Sequence, residues 1–150
     1  MVSISLGVGD NPAKRLPDPF EQELLREIVG RRVHVWIDKG AGGEEGARVE
    51  RAVARSVGRV QCWEGGFAAF AAIIAQSNLY IGYDSAGQHV AAACGVPLIS
   101  VFAGFPTLRM FSRWRPTGPG PAQVIRVDVP DPGSVLESVR CSDLLAATSS

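Results

Sequence analysis

The chain has no excess of charge of either sign. Fifteen Lys and Arg balance fifteen Asp and Glu over 150 residues. Without a net positive field there is no general attraction to nucleic acid or to anionic lipid, so any polyanion site must be built locally. Long apolar runs are missing too. The longest weakly polar stretch, Val90 to Phe105, is interrupted by Gly95, Pro97 and Ser100, which makes it too short and too broken to span a bilayer. The N-terminus, MVSISLGVGDNPAKR, lacks a basic start followed by a long apolar run, so no signal peptide is read there. A soluble cytoplasmic domain is expected. Cysteine is scarce: Cys62, Cys94 and Cys141 lie far apart and form no CxxC pair, which suggests neither a disulfide framework nor a thiolate zinc site. Free cysteine packs as a small hydrophobe, so these thiols are expected to be buried.

What is present is enough apolar residue, 46% of the chain, to build one core of ordinary size. Apolar segments of strand length alternate with segments of helical period. Strands are expected at Ile4 to Gly7, Val33 to Ile37, Val60 to Trp63, Leu79 to Tyr83, Leu98 to Phe102 and Gln123 to Val129. Between them, Phe20, Leu24, Leu25, Ile28 and Val29 mark a helix stopped by Gly30. Val49, Val53 and Val57 mark a second, and Phe67, Phe70, Ala71 and Ile74 a third. Val90 to Cys94 is a small-residue helix, and Val135, Leu136 and Val139 suggest a closing one. Residues 103–121 read as a long loop. Six strands and five helices in βαβα order predict one domain: an α/β fold with a doubly wound parallel sheet and helices on both faces.

In such a sheet, ligands lie outside the carboxyl ends of the strands, where strand order reverses. With order 3-2-1-4-5-6, that crevice falls between the loops after strands one and four. The first is Gly7 to Arg15, where Lys14 and Arg15 supply positive charge. The second, Asp84-Ser85-Ala86-Gly87-Gln88-His89, passes straight into a helix, so free N–H groups and the positive end of the dipole point at the crevice. Ser85 can cap that helix or donate to a phosphate oxygen. Ala86 and Gly87 are small enough for a ligand to approach the backbone, and His89 can reach the same anion. Glu44 and Glu45 either accept from a ribose diol or stabilise the start of their helix. Gly7-Val8-Gly9 with Asp38 fits a dinucleotide fold only in part, because Pro12 stands where the third glycine belongs. Arg109, Arg113, Trp114 and Arg115 form a basic aromatic loop that either closes over a ligand, meets a partner or is merely solvated.

The run GFAAFAAIIAQSNLYIGYDSAGQHVAAACGVPLISVFAG resembles the C-terminal domain of family 9 glycosyltransferases, the ADP-heptose:lipopolysaccharide heptosyltransferases and their relatives. The features that match are Asp84, Ser85, His89, Ala91 to Ala93, Gly95-Val96-Pro97 and Phe102. The opening NPAKRLPDPFEQELLREI is similar as well. Two departures are Ala86 where glycine is frequent, and Phe102-Ala103-Gly104 in place of Phe-Gly.

The resemblance implies a GT-B enzyme whose donor-binding half is this chain, with the N-terminal acceptor domain and its general base absent. It implies inverting transfer of a sugar from a nucleotide diphosphate sugar such as ADP-heptose to a lipopolysaccharide-type or other glycan acceptor. No cofactor and no metal are expected, and no DxD motif occurs. By resemblance Lys14 neutralises the diphosphate, and Ser85, Ala86 and Gly87 present amides to it. Glu45 or Glu44 holds the ribose, and His89 contacts phosphate or sugar. The chain alone is expected to bind without turnover, to self-associate as a homodimer, and to work in the cytoplasm or at the periphery of the inner membrane. A stand-alone nucleotide-sugar binding module is the alternative.

Overall fold

In the computed structural model, which describes residues 1–40, 42–56 and 58–149, the elements follow one another as β1 (Val2–Ser5), α1 (Phe20–Gly30), β2 (Val35–Asp38), α2 (Gly43–Ala54), β3 (Val60–Trp63), α3 (Phe67–Ala75), β4 (Leu79–Tyr83), α4 (Ala86–Ala93), β5 (Leu98–Phe102), α5 (Leu108–Trp114), β6 (Ala122–Arg126), α6 (Pro132–Arg140) and α7 (Asp143–Ala146). The sheet is parallel throughout, in the order β3-β2-β1-β4-β5-β6. Every residue of β1, β4 and β5 is buried, as strands covered by helices on both faces must be. The edge strands β3 and β6 keep exposed positions. One apolar cluster joins the sheet to α1, α2, α6 and α7, and a second joins it to α3 and α4 through Phe70, Ile74, Tyr80 and Leu98.

Several expectations change. Residues 103–121 are not all loop, because Thr107 accepts a hydrogen bond from the Met110 N–H at 3.2 Å and starts the short helix α5. Helix α7 was hidden for the same reason, being one turn long. All three cysteines are exposed, not buried. Cys62 lies on an edge strand, Cys94 caps the end of α4 and Cys141 caps the end of α6. Helix α1 runs through Gly30, and the left-handed residue that ends it is Arg32, at φ 60°. Val57 lies outside the described residues.

One buried ionic cluster fixes the loop that follows β1. Glu21 sits on the buried face of α1 at 1% exposure. Its Oε1 accepts from Arg15 Nε at 3.0 Å, Arg48 Nη1 at 2.7 Å and the Tyr83 hydroxyl at 3.1 Å. Arg48 also donates to the Leu6 carbonyl at 2.7 Å, and the Leu16 N–H donates to the Tyr83 hydroxyl at 3.3 Å. Burial, with the Glu21 charge beside it, pushes the Tyr83 phenol far up, so Tyr83 stays neutral. The loop between Leu6 and Leu16 is thereby pinned to α1, to α2 and to the end of β4.

Candidate functional site

Strand order reverses between β1 and β4, and the loops after these strands meet there through an ion pair. Lys14 Nζ lies 2.9 Å from Asp84 Oδ2 and donates to the Asp84 carbonyl at 3.3 Å. A one-turn 3-10 helix, Pro12–Lys14, carries Lys14. Asn11 caps that turn by accepting from the Ala13 N–H at 3.1 Å, and its amide donates to the Gly104 carbonyl at 3.3 Å. Gly104 has φ +68°, and a Cβ there would stand 2.5 to 2.7 Å from the backbone of Ala13 and Lys14. Glycine at position 104 therefore has a packing cause: the loop after β5 lies against the turn that holds Lys14.

Helix α4 opens directly on this junction. Its N-cap, Ser85, is extended (φ −154°, ψ 178°), yet its side chain makes no capping bond. The hydroxyl stands 3.5 Å from that of Tyr80, whose phenol is pushed up to about 12 by burial. The N–H groups of the first turn have no acceptor within the helix, as at any helix start. Ala86 is exposed, whereas Gly87 is buried. A Cβ at Gly87 would collide with the Tyr80 hydroxyl, so glycine here makes room for a ring below the helix as well as for a ligand above it.

Lys14, Asp84, Ser85, Ala86 and His89 line one side of an open crevice of about 430 Å³, with Asn11 beside them. The other side is apolar: Phe102 to Pro106, Met110 and Trp114. Phe102, Phe105 and Phe111 pack ring against ring, Phe102 and Phe111 edge-on at 5.1 Å between centroids. The expected basic aromatic loop is thus the exposed helix α5, with Trp114 on the crevice and Arg113 5.8 Å from its ring centroid. A signal for this side was available in the sequence, because residues 85–127 contain no Asp or Glu but carry Arg109, Arg113, Arg115 and Arg126. Gln88, four residues after Asp84, was also missed; its bonds to Asp84 and Ser100 place it under the crevice.

Glu45 is not on this crevice. It lies half-buried in the first turn of α2, between the loops after β1 and β2, where a Cβ on Gly7 would stand 2.8 Å from its Oε1 and one on Gly40 would collide with it. Glu44 is exposed. Asp38 accepts from the Gly40 N–H at 3.0 Å and so closes the turn after β2. Burial raises the Glu45 carboxyl above the usual range, Arg48 opposes that shift, and the charges of Asp38 and Glu21 add to it. An acid whose pKa is raised by folding binds more protons folded than unfolded, so folding weakens as pH rises through that window. Glu45→Gln is therefore expected to remove the destabilising contribution that Glu45 makes as pH rises through the range where it ionises. Urea midpoints measured from pH 4 upward check this, and parallel curves for the two proteins would contradict it.

Among the described residues no group of three or more His, Cys, Asp and Glu is placed to hold a metal ion, and no helix is long and apolar enough to cross a membrane. No curated protein matches the chain in sequence. The sequence model of glycosyltransferase family 9 (heptosyltransferase) matches residues 4–120. Among solved structures, the Escherichia coli heptosyltransferase WaaC with ADP is similar at TM-score 0.76 and 16% identity, over 99% of this chain and 44% of that one. The E. coli ADP-heptose lps heptosyltransferase II is similar at TM-score 0.67 and 23% identity, over 99% and 47%. A family 9 glycosyl transferase from Veillonella parvula is similar at TM-score 0.59 and 22% identity, over 93% and 38%. The chain thus spans less than half of each of these three structures.

Proposed function

The chain belongs to glycosyltransferase family 9, and from that premise we propose that it is the donor-binding half of a GT-B enzyme that transfers a heptose-like sugar from a nucleotide diphosphate sugar. The observation that carries this reading is the Lys14–Asp84 pair at the N-terminus of α4, which sets a cation and unpartnered N–H groups side by side on one crevice. A diphosphate is the ligand such a place suits best. Helix N–H groups donate to its oxygens, the dipole favours its charge, and Lys14 adds an ammonium held on the crevice by Asp84. Ser85, with its hydroxyl not used for capping, donates to the same group. Glu45 takes the ribose diol, and Glu44, facing solvent, does not. His89, exposed on the crevice, meets the phosphate or the sugar.

Charge builds up on the departing diphosphate as the sugar bond breaks, and donors already aimed at that charge lower the barrier. The transfer is inverting and needs no metal in this account. The base that activates the acceptor, a lipopolysaccharide-type glycan, comes from an N-terminal domain of the whole enzyme. The chain by itself binds donor and does not turn it over. Solution as a homodimer and a peripheral place at the membrane belong to the same proposal.

Thermal melting with ADP, ADP-heptose, UDP, GDP and NAD tests the donor class. A ligand at about 100 times its dissociation constant adds about 2.7 kcal/mol, which for a domain of this size is a rise of about 5 to 10 °C. The rise is expected with ADP and ADP-heptose and not with NAD. Equal melting with all five would sink the proposal.

A further inference from the structure

We propose that Gln88 is a positioning residue of the donor crevice, a role that rests on the donor-binding reading above. Gln88 is fully buried and has no surface through which to touch a ligand. Its carboxamide nevertheless reaches both walls. Nε2 donates to Asp84 Oδ1 at 2.6 Å and to the Trp114 carbonyl, at the end of α5, at 3.3 Å. Oε1 accepts from the buried Ser100 hydroxyl on β5. The amide thus faces both walls, and the same nitrogen stands 3.4 Å from Nε2 of His89 on the crevice.

The other oxygen of Asp84 holds Lys14. Ser100, Gln88, Asp84 and Lys14 therefore form a single line of polar contacts that starts inside the sheet and ends at the crevice. A carboxylate held by one partner can turn; one held by a fixed amide on one oxygen and an ammonium on the other keeps that ammonium in place. In a helix made mostly of alanine and glycine, an apolar residue would fill this buried position without the cost of desolvating an amide. Gln88 acts on the ligand through Asp84 and Lys14, and it anchors the last turn of α5, which bears Trp114 on the crevice.

The test is a double-mutant cycle over Gln88→Met and Lys14→Met, read as ADP affinity by calorimetry, with the melting temperature of each protein. Gln88→Met is expected to weaken ADP binding about tenfold, the scale of a hydrogen bond to a charged group, and to add less than about twofold once Lys14→Met is present. Gln88→Glu sets a carboxylate against Asp84 and against the Trp114 carbonyl, and is expected to weaken binding further. Equal losses in both backgrounds would overturn the proposal, as would a lowered melting temperature with unchanged affinity. If Gln88→Met does not fold, Ser100→Ala frees the amide from β5: a loss of about threefold that vanishes with Lys14→Met supports the role, and no loss or an additive one overturns it. Binding that ignores Gln88 sinks only this inference; an unaltered chain that binds no ADP sinks it together with the reading beneath it.

Discussion

Lys14→Met is expected to raise the dissociation constant for ADP about 10- to 100-fold, since a hydrogen-bonded charge pair is worth about 1.5 to 3 kcal/mol and each 1.4 kcal/mol is a factor of ten. Two effects act in the same direction. The ammonium that faces the diphosphate is lost, and Asp84, whose Oδ2 it held at 2.9 Å, is left as an uncompensated negative charge on the crevice. The second effect separates this account from loss of a generic surface cation. Adding Asp84→Asn to Lys14→Met is expected to recover part of the affinity, although it removes a further charge-bearing group from the site. Raising the salt concentration should weaken the unaltered chain more than the Lys14→Met variant, because screening acts on the charge that the variant lacks. Calorimetric titrations of the three proteins at two salt concentrations check both statements. A double variant weaker than the single one would contradict the assignment of Lys14 and Asp84 to a shared anion site.

Glu21→Ala is expected to cost about 3 to 5 kcal/mol of stability, the usual result of removing one member of a buried charge cluster. For a domain of this size each kcal/mol lowers the melting temperature by about 2 to 4 °C, so a drop of about 6 to 20 °C is expected. Arg15, Arg48 and Tyr83 would all lose their common acceptor. Arg48 is buried to the point that it cannot turn to water without moving α2, its side chain being 10% exposed. Asp18→Ala is the contrast. That carboxylate pairs with the same Arg15 but is 68% exposed, and its removal should cost less than about 1 kcal/mol. Thermal melting of the two variants side by side decides the matter. Similar losses would mean that the cluster around Glu21 is not what fixes the loop after β1.

The sheet was legible because its central strands are buried on both faces. Leu79–Tyr83 and Leu98–Phe102 are short, continuous apolar runs bounded by turn residues, and both were placed to the residue. The first strand slipped toward its C-terminus, since Leu6 is as apolar and as buried as Ile4 although the ladder ends at Ser5. The two loops that meet at the crevice followed from strand order alone, and the contact between Lys14 and Asp84 lies where that order puts it. The helix that carries part of the apolar wall was not legible. Helix α5 is seven residues long, buries none of them and follows Phe105-Pro106-Thr107, so helical period had nothing to register. Side-chain knots escaped for a different reason. Glu21 lies three and four residues before Leu24 and Leu25, and Gln88 three and four before Ala91 and Ala92, which puts each on a buried face. Spacing shows that much; it does not show which arginine, tyrosine or serine arrives from elsewhere in the chain to meet it.

The cysteines show the same limit from the other side. Their residue type favours burial, but Cys62 falls on the edge strand and Cys94 and Cys141 fall at helix ends, where exposure is decided by position. Glu44 and Glu45 were equivalent on paper. Only the turn of α2 against Gly7 and Gly40 distinguishes them, by half-burying Glu45 and leaving Glu44 in solvent.

The central claim is that the N-terminus of α4, together with Lys14, is a diphosphate site. A crystal structure of the chain with ADP tests it most directly. The account predicts the diphosphate within hydrogen-bond distance of the Ala86 and Gly87 N–H groups, of Ser85 Oγ and of Lys14 Nζ, with the ribose hydroxyls on Glu45. ADP lodged instead in the glycine-lined hollow beside Lys39, with its phosphates away from α4, would contradict it.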